Sequence, residues 1–176
     1  EEQRLQGHWL LAKMGKRVLR PGGMEMTRRI LGQAKPTAAD RIVEFGPGVG
    51  KTAELLLAVH PATYWGVDVR DDGDNPLLAI LSRHNEAQLV NADAKNTGLE
   101  DGCATLVVGE AMLTMQSDKD KLAIMQEAHR LLTPGGRYAL HEMGFKSDAP
   151  SQATGAVEKN LSRTIKVGAR PLTMAG

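Results

Sequence analysis

The spacing of apolar positions changes near residue 40. Before it, Leu5, Trp9, Ala12 and Leu19, with Leu10, Met14 and Val18, recur at helical spacing among Lys and Arg, until Arg20-Pro21-Gly22-Gly23 breaks the pattern. A second short helix is predicted from Met24 to Ala34, with Met24, Thr27, Ile30 and Leu31 on one face and Lys35-Pro36-Thr37 closing it. From Asp40 onward, short β-type runs alternate with helical ones. Arg41 to Phe45, Thr63 to Val69, Ala87 to Asn91, Ala104 to Gly109 and Arg137 to Met143 read as strands. Helices are predicted from Lys51 to Pro61, from Pro76 to His84, and from Ser117 to the Thr133-Pro134-Gly135-Gly136 break. In the last of these, Ser117 is the expected N-cap, Asp120 the capping-box acid, and Leu122, Met125, His129 and Leu132 the expected buried stripe. Residues 152–168 predict a final amphipathic helix through Val157, Leu161 and Ile165.

Strands alternating with helices imply an α/β fold, a mostly parallel sheet with helices on both faces. The nearly all-apolar run Ala104 to Gly109 fits a strand covered on both sides. Three segments follow: a helical cap over residues 1–39, a core over 40–150, and a C-terminal part over 151–176.

Composition narrows the function more than the fold. Lys and Arg total 22 against 21 Asp and Glu, a formal charge of +1, and six of the 176 residues are Phe, Trp or Tyr. Neither number suits a general nucleic-acid binder, which needs a basic excess or stacking aromatics. No apolar run is long enough to span a bilayer, so no membrane partner is expected. The lone Cys103 excludes an internal disulfide and a cysteine-rich zinc module, and fits a reducing, cytoplasmic setting.

The chemistry concentrates in Val43-Glu44-Phe45-Gly46-Pro47-Gly48-Val49-Gly50-Lys51-Thr52, a strand, a glycine-rich turn and a helix start. In an open parallel sheet such a turn lies at the carboxyl ends of the strands, where ligands bind. Gly50-Lys51-Thr52 imitates a P-loop locally, but the glycine required five positions earlier falls on Phe45. A dinucleotide fingerprint uses Gly46 and Gly48 but places its third glycine on Lys51. A third pattern, Glu-x-Gly-x-Gly-x-Gly, is satisfied throughout by Glu44, Gly46, Gly48 and Gly50.

On those residues the sequence resembles the class I S-adenosylmethionine-dependent methyltransferases, of the type 11-like small-molecule kind, and the resemblance extends from residue 43 to about 143. Gly66-Val67-Asp68-Val69 looks like the family's second strand, whose terminal acid accepts the ribose hydroxyls. Asn91-Ala92-Asp93-Ala94 looks like the adenine-binding segment, and Leu131 to Arg137 is similar to the turn before strand five. The resemblance implies a Rossmann-like three-layer α/β/α sandwich. It also implies S-adenosyl-L-methionine as cofactor, held by Glu44, Gly46, Gly48, Gly50, Asp68, Asp93, Ala94 and Glu110. Glu44 is expected near the methionine moiety. Departures are the Gly109-Glu110-Ala111-Met112-Leu113-Thr114-Met115 segment after strand four and the acidic loop Arg70-Asp71-Asp72-Gly73-Asp74 after Asp68.

The catalytic residue is open. Glu110, at the end of strand four, suits either an ion pair with a neighbouring Lys or Arg or the cofactor and substrate edge. His141 and Glu142 end strand five with side chains on opposite faces. His8, His60, His84 and His129 show no ligand-like pairing, so no metal is expected. Met112 and Met115 are expected at the pocket and Met125 in the core. The expected function is methyl transfer to a small-molecule acceptor by in-line displacement. The alternatives are an RNA or protein methyltransferase and a non-catalytic nucleotide-binding relative. A homo-oligomer remains open. The resembling fold closes its sheet with two further strands, which the stretch after Met143 does not accommodate. Those strands are therefore expected beyond Gly176 or from a partner.

Overall fold

The computed structural model describes residues 20–69 and 75–144, with two isolated positions, 159 and 171. The predicted first helix, the acidic loop 70–74 and the predicted C-terminal helix lie outside the described residues.

Helix α1 (Gly23–Ala34) leads into β1 (Arg41–Phe45), α2 (Lys51–Leu57), β2 (Thr63–Asp68), α3 (Pro76–Leu81), β3 (Ala87–Asn91) and β4 (Ala104–Glu110). A 3₁₀ turn (Leu113–Met115), α4 (Asp118–Leu131) and β5 (Leu132–His141) complete the order. The five strands form one sheet in the order β3-β2-β1-β4-β5, and every pairing is parallel. The order reverses between β1 and β4, the position where an open α/β sheet takes its ligand. No helix among the described residues is long and apolar enough to cross a membrane.

Side-chain alternation along the strands divides the core into two layers. Ile42, Tyr64, Leu106, Val108 and Ala139 face α1, α2 and α3, meeting Leu31, Ala34, Ala53, Leu56, Leu57, Leu77 and Leu81. Val43, Phe45, Val67 and Val107 face α4, meeting Ile124, Ala128 and Leu131. The three-layer sandwich expected from the sequence is therefore the observed one.

Several boundaries differ from the sequence reading. Helix α2 stops at Leu57 rather than near Pro61, because the chain turns sharply through His60, whose φ is +49°. Helix α3 stops at Leu81 rather than His84. Strand β5 begins at Leu132, ahead of the predicted turn. Ala104 pairs with Leu132 and Leu106 with Arg137, so the Thr133-Pro134-Gly135-Gly136 turn sits inside the strand as an irregularity in register.

The largest correction concerns α4. Ser117 caps it as expected, accepting from the Asp120 N–H at 3.2 Å. Its buried stripe, however, is Lys121, Ile124, Glu127, Ala128 and Leu131. The expected stripe is one residue out of phase: Leu122 is 60% and Met125 42% exposed. Two polar side chains occupy the buried face because each has partners there. Glu127 accepts from Thr97 N–H at 2.8 Å, Thr97 Oγ1 at 2.7 Å and the Arg130 guanidinium at 2.7–2.8 Å. Those donors hold its carboxyl down at about 2, Arg130 foremost.

At the amino ends of the strands, Asp40 ties its own connection to β4 and β5. Its carboxylate accepts from Arg137 Nη1 at 3.0 Å and Nη2 at 2.9 Å, from Thr105 Oγ1 at 2.7 Å, and from Thr37 N–H at 2.8 Å. Arg137 also donates to the Ala34 carbonyl at 2.6 Å and the Lys35 carbonyl at 3.1 Å, closing the end of α1. The Arg137 guanidinium holds the buried Asp40 carboxyl far below its ordinary 3.8, against the cost of burial. A carboxyl depressed in the folded state contributes stability that is full above its unfolded value and fades as pH falls toward the native one. Asp40→Ala is expected to lower unfolding free energy by about 3 kcal/mol at pH 7. In urea melts, the gap between wild type and variant should narrow steadily below about pH 4. A gap independent of pH would show that the charge contributes nothing.

Candidate functional site

Where β1 ends, the chain makes a turn that only glycine fits easily. Gly46, Gly48 and Gly50 have φ values of +65°, +55° and +86°. The turn is anchored by Gly46 N–H to the Val67 carbonyl at 2.8 Å and Gly50 N–H to the Pro47 carbonyl at 2.9 Å. Its two sides differ. A Cβ on Gly50 would lie 2.6 Å from Ile80 Cδ1 and 3.1 Å from Leu77 Cδ1, so that glycine seats α2 against α3. A Cβ on Gly46 would meet nothing within 4 Å, and one on Gly48 only the Gly46 carbonyl at 4.0 Å. The outer side of the turn is thus an open backbone cradle.

Parallel register sets the neighbouring groups along the same edge. Asp68 closes β2 and pairs with Asn91, the last residue of β3. Beyond it, Asp93 is exposed and turns on itself, accepting from Lys95 N–H at 2.9 Å. Lys95 Nζ lies 3.3 Å from Asp93 and 3.1 Å from Asp120, which ties this loop to the start of α4. Ala94 is half-buried and packs with Ala92 against the α4-side core. The sequence-predicted glycines, Asp68, Asp93 and Ala94 therefore stand along one edge of three adjacent strands, while Glu44 is buried within β1. The donor set suits S-adenosylmethionine: a side-chain-free turn for close backbone approach, then a carboxylate one strand away for a diol.

Glu44, the last acid of β1, lies inward beneath the turn and is fully enclosed. Tyr64 Oη donates to its Oε2 at 2.7 Å. Burial raises the Glu44 carboxyl from 4.5 to about 7; the Tyr64 hydrogen bond opposes this and the nearby Glu110 charge adds to it.

Glu110, His141 and Glu142 separate into two structural settings. Glu110 and His141 are register partners facing the α1 side. Glu110 Oε2 accepts from Thr27 Oγ1 at 2.9 Å and lies 3.1 Å from both Arg20 Nε and His141 Nδ1. Its Oε1 accepts from Thr52 Oγ1 at 2.7 Å. The ion pair weighed for Glu110 from sequence is present, with Arg20. Glu142 faces the other side. Its Oε1 accepts from Met112 N–H at 2.6 Å and Leu113 N–H at 2.7 Å, and its Oε2 from Thr114 N–H at 3.1 Å and Thr114 Oγ1 at 2.8 Å. Ala111, with φ +54°, supplies the bend that aims those three amides at one carboxylate. Sequence reasoning missed this cap because it joins residues 28 to 30 positions apart. Tyr138, on the same side, buries an Oη that has no hydrogen-bond partner among the described residues and stacks edge-on against Phe45 at 6.3 Å. Met112 packs into this cluster.

His60 and His84, read as unpaired, meet at Glu86 on the opposite, amino-end edge of the sheet. They come from different connections, so only the topology brings them together.

The profile of the methyltransferase-domain family matches residues 43–140. An uncharacterized protein of Haemophilus influenzae is 27% identical over 173 residues, 97% of this chain and 67% of its own length. Among solved structures, YcgJ of Bacillus subtilis superposes with a TM-score of 0.72 at 17% identity, over 86% of this chain and 64% of that one. Phosphoethanolamine N-methyltransferase 2 of Haemonchus contortus, solved with phosphomonomethylethanolamine and S-adenosylhomocysteine, gives 0.68 at 19% identity, over 86% and 35%. The chain thus spans about one-third to two-thirds of the length of these proteins. With the glycine cradle and the strand order already fixed by its own residues, the chain belongs to the methyltransferase-domain family, the class I S-adenosylmethionine-dependent methyltransferases.

Proposed function

We propose that this chain binds S-adenosylmethionine across the carboxyl edge of β1, β2 and β3 and transfers its methyl group to a small-molecule acceptor. The observation that carries the proposal is the Gly46–Gly48 cradle, open where a side chain would otherwise stand, beside Asp68 one strand away. When bound, the cofactor supplies an electrophilic sulfonium methyl that an acceptor lone pair displaces in line. The residues of the chain supply binding and orientation, which is where such a reaction gains most of its rate. Asp68 would hold the ribose hydroxyls, and the Asp93–Ala94 turn the adenine edge. Glu44 would support the cradle from beneath.

A small acceptor is favoured by the near-zero net charge, which gives no electrostatic attraction to a phosphate backbone. The Haemonchus contortus relative, bound to phosphomonomethylethanolamine, supports the same reading. Neither Glu110 nor Glu142 is placed as a base. Each carboxylate already receives hydrogen bonds on both oxygens, and we assign them to holding α1 and the 3₁₀ turn.

Calorimetric titration tests the cofactor site directly. Both S-adenosylmethionine and S-adenosylhomocysteine should bind with one-to-one stoichiometry, and absence of binding to the folded protein would end the proposal. Asp68→Ala should weaken both by about tenfold or more, the loss expected of a charged hydrogen-bonding partner. Asp101→Ala, an exposed partner of Arg130, should leave them unchanged. A labelled-cofactor assay against a small-molecule extract and a macromolecular fraction then decides the acceptor, with incorporation confined to the macromolecules counting against us.

The Glu44 carboxyl gives a separate test. Because its folded value is raised, the native state binds the extra proton, and stability falls as pH rises from about 4.5 through about 7. Glu44→Gln removes that dependence. The variant should gain on wild type by about 3 kcal/mol across that interval in denaturant melts of the cofactor-free protein. Parallel pH profiles would place the carboxyl at an ordinary value.

A further inference from the structure

Away from the cofactor edge, two loops at the amino ends of the strands bring three metal-binding side chains together. His60 lies between α2 and β2, and His84 and Glu86 between α3 and β3. His84 Nδ1 is 3.2 Å from Glu86 Oε1, and His60 Nδ1 is 3.8 Å from the same oxygen. The imidazole rings are 5.9 Å apart between centroids, and one ligand atom from each residue lies within 4.8 Å of the other two.

We propose that His60, His84 and Glu86 form a divalent transition-metal site of the zinc class. Two imidazoles and one carboxylate are a donor set that zinc-class ions prefer, and an oxygen-seeking ion such as magnesium does not. Bonds of about 2.0–2.2 Å at tetrahedral angles put neighbouring ligand atoms about 3.3–3.5 Å apart. The two measured separations to Glu86 lie on either side of that spacing. His60 is 78% exposed, so its ring can turn inward without displacing a packed neighbour, and the fourth position opens to water.

The backbones carrying these groups are already held. His60 N–H bonds to the Leu57 carbonyl at 3.0 Å, and His84 N–H to the Leu81 carbonyl at 2.9 Å. The Glu86 carbonyl accepts from Tyr64 N–H at 2.9 Å, at the start of the β2–β3 ladder. Binding therefore requires side-chain rotation rather than loop ordering, and a bound ion would clamp the α2–β2 connection to the α3–β3 connection. Its place at the opposite edge from the glycine turn makes it a stabilising clamp, with no part in methyl transfer.

The test is calorimetry with zinc chloride on chelator-treated protein. Thermal melts run alongside, since a ligand that binds only the folded state raises Tm. Wild type should bind one ion and melt several degrees higher with zinc. His60→Ala and His84→Ala should each weaken binding at least tenfold and remove the Tm rise, while melting as cooperatively as wild type without metal. Glu86→Gln should weaken binding while keeping side-chain size. His129→Ala, an exposed histidine on α4, should bind as wild type does. Absence of zinc binding to wild type, or binding undiminished in the His60→Ala/His84→Ala double variant, would overturn the site. Loss in only one of the two single histidine variants would also overturn it as a three-ligand site.

Discussion

The Glu110 carboxylate is the point where the carboxyl edge of the sheet is held together. It ends β4, yet its partners come from α1 through Thr27, from α2 through Thr52, from β5 through His141, and from the segment before α1 through Arg20. A buried carboxylate needs compensating donors, and here the compensation doubles as construction. Helix α1 is fixed against the carboxyl edge by this group and against the amino edge by Arg137, which donates to the carbonyls of Ala34 and Lys35. Helix α1 thus has a polar clasp toward each of its ends, with Leu31 and Ala34 in the apolar core between sheet and helix.

How much of this was legible in the sequence varies with the range of the interaction responsible. The glycine turn was legible because its register is local: three glycines at alternate positions after an acid need nothing from elsewhere to adopt positive φ. The all-parallel sheet followed from alternating strand and helix patterns. The α4 stripe was not legible. Hydrophobicity alone put Leu122 and Met125 inward, whereas Lys121 and Glu127 take the buried face because Thr97 and Arg130 satisfy the latter. The Glu142 cap and the His60–His84–Glu86 cluster were also invisible, because both depend on which strands the sheet order makes neighbours.

Three buried acids among the described residues, Asp40, Glu44 and Glu127, show how a carboxyl is pushed in opposite directions by its surroundings. Asp40 faces Arg137 and Glu127 faces Arg130; both are held well below their ordinary values and stay ionised. Glu44 receives its hydrogen bond from a neutral hydroxyl, that of Tyr64, and its carboxyl is driven up by burial to about 7. Asp40 and Glu127 join elements of the scaffold, where an ionised carboxylate gives strong directional hydrogen bonds. Glu44, enclosed in β1 with a tyrosine hydroxyl as its hydrogen-bond partner, carries the opposite shift. Paired carboxylates thus join elements of the scaffold, while the acid with only a neutral hydrogen-bond donor is the one whose charged form burial disfavours.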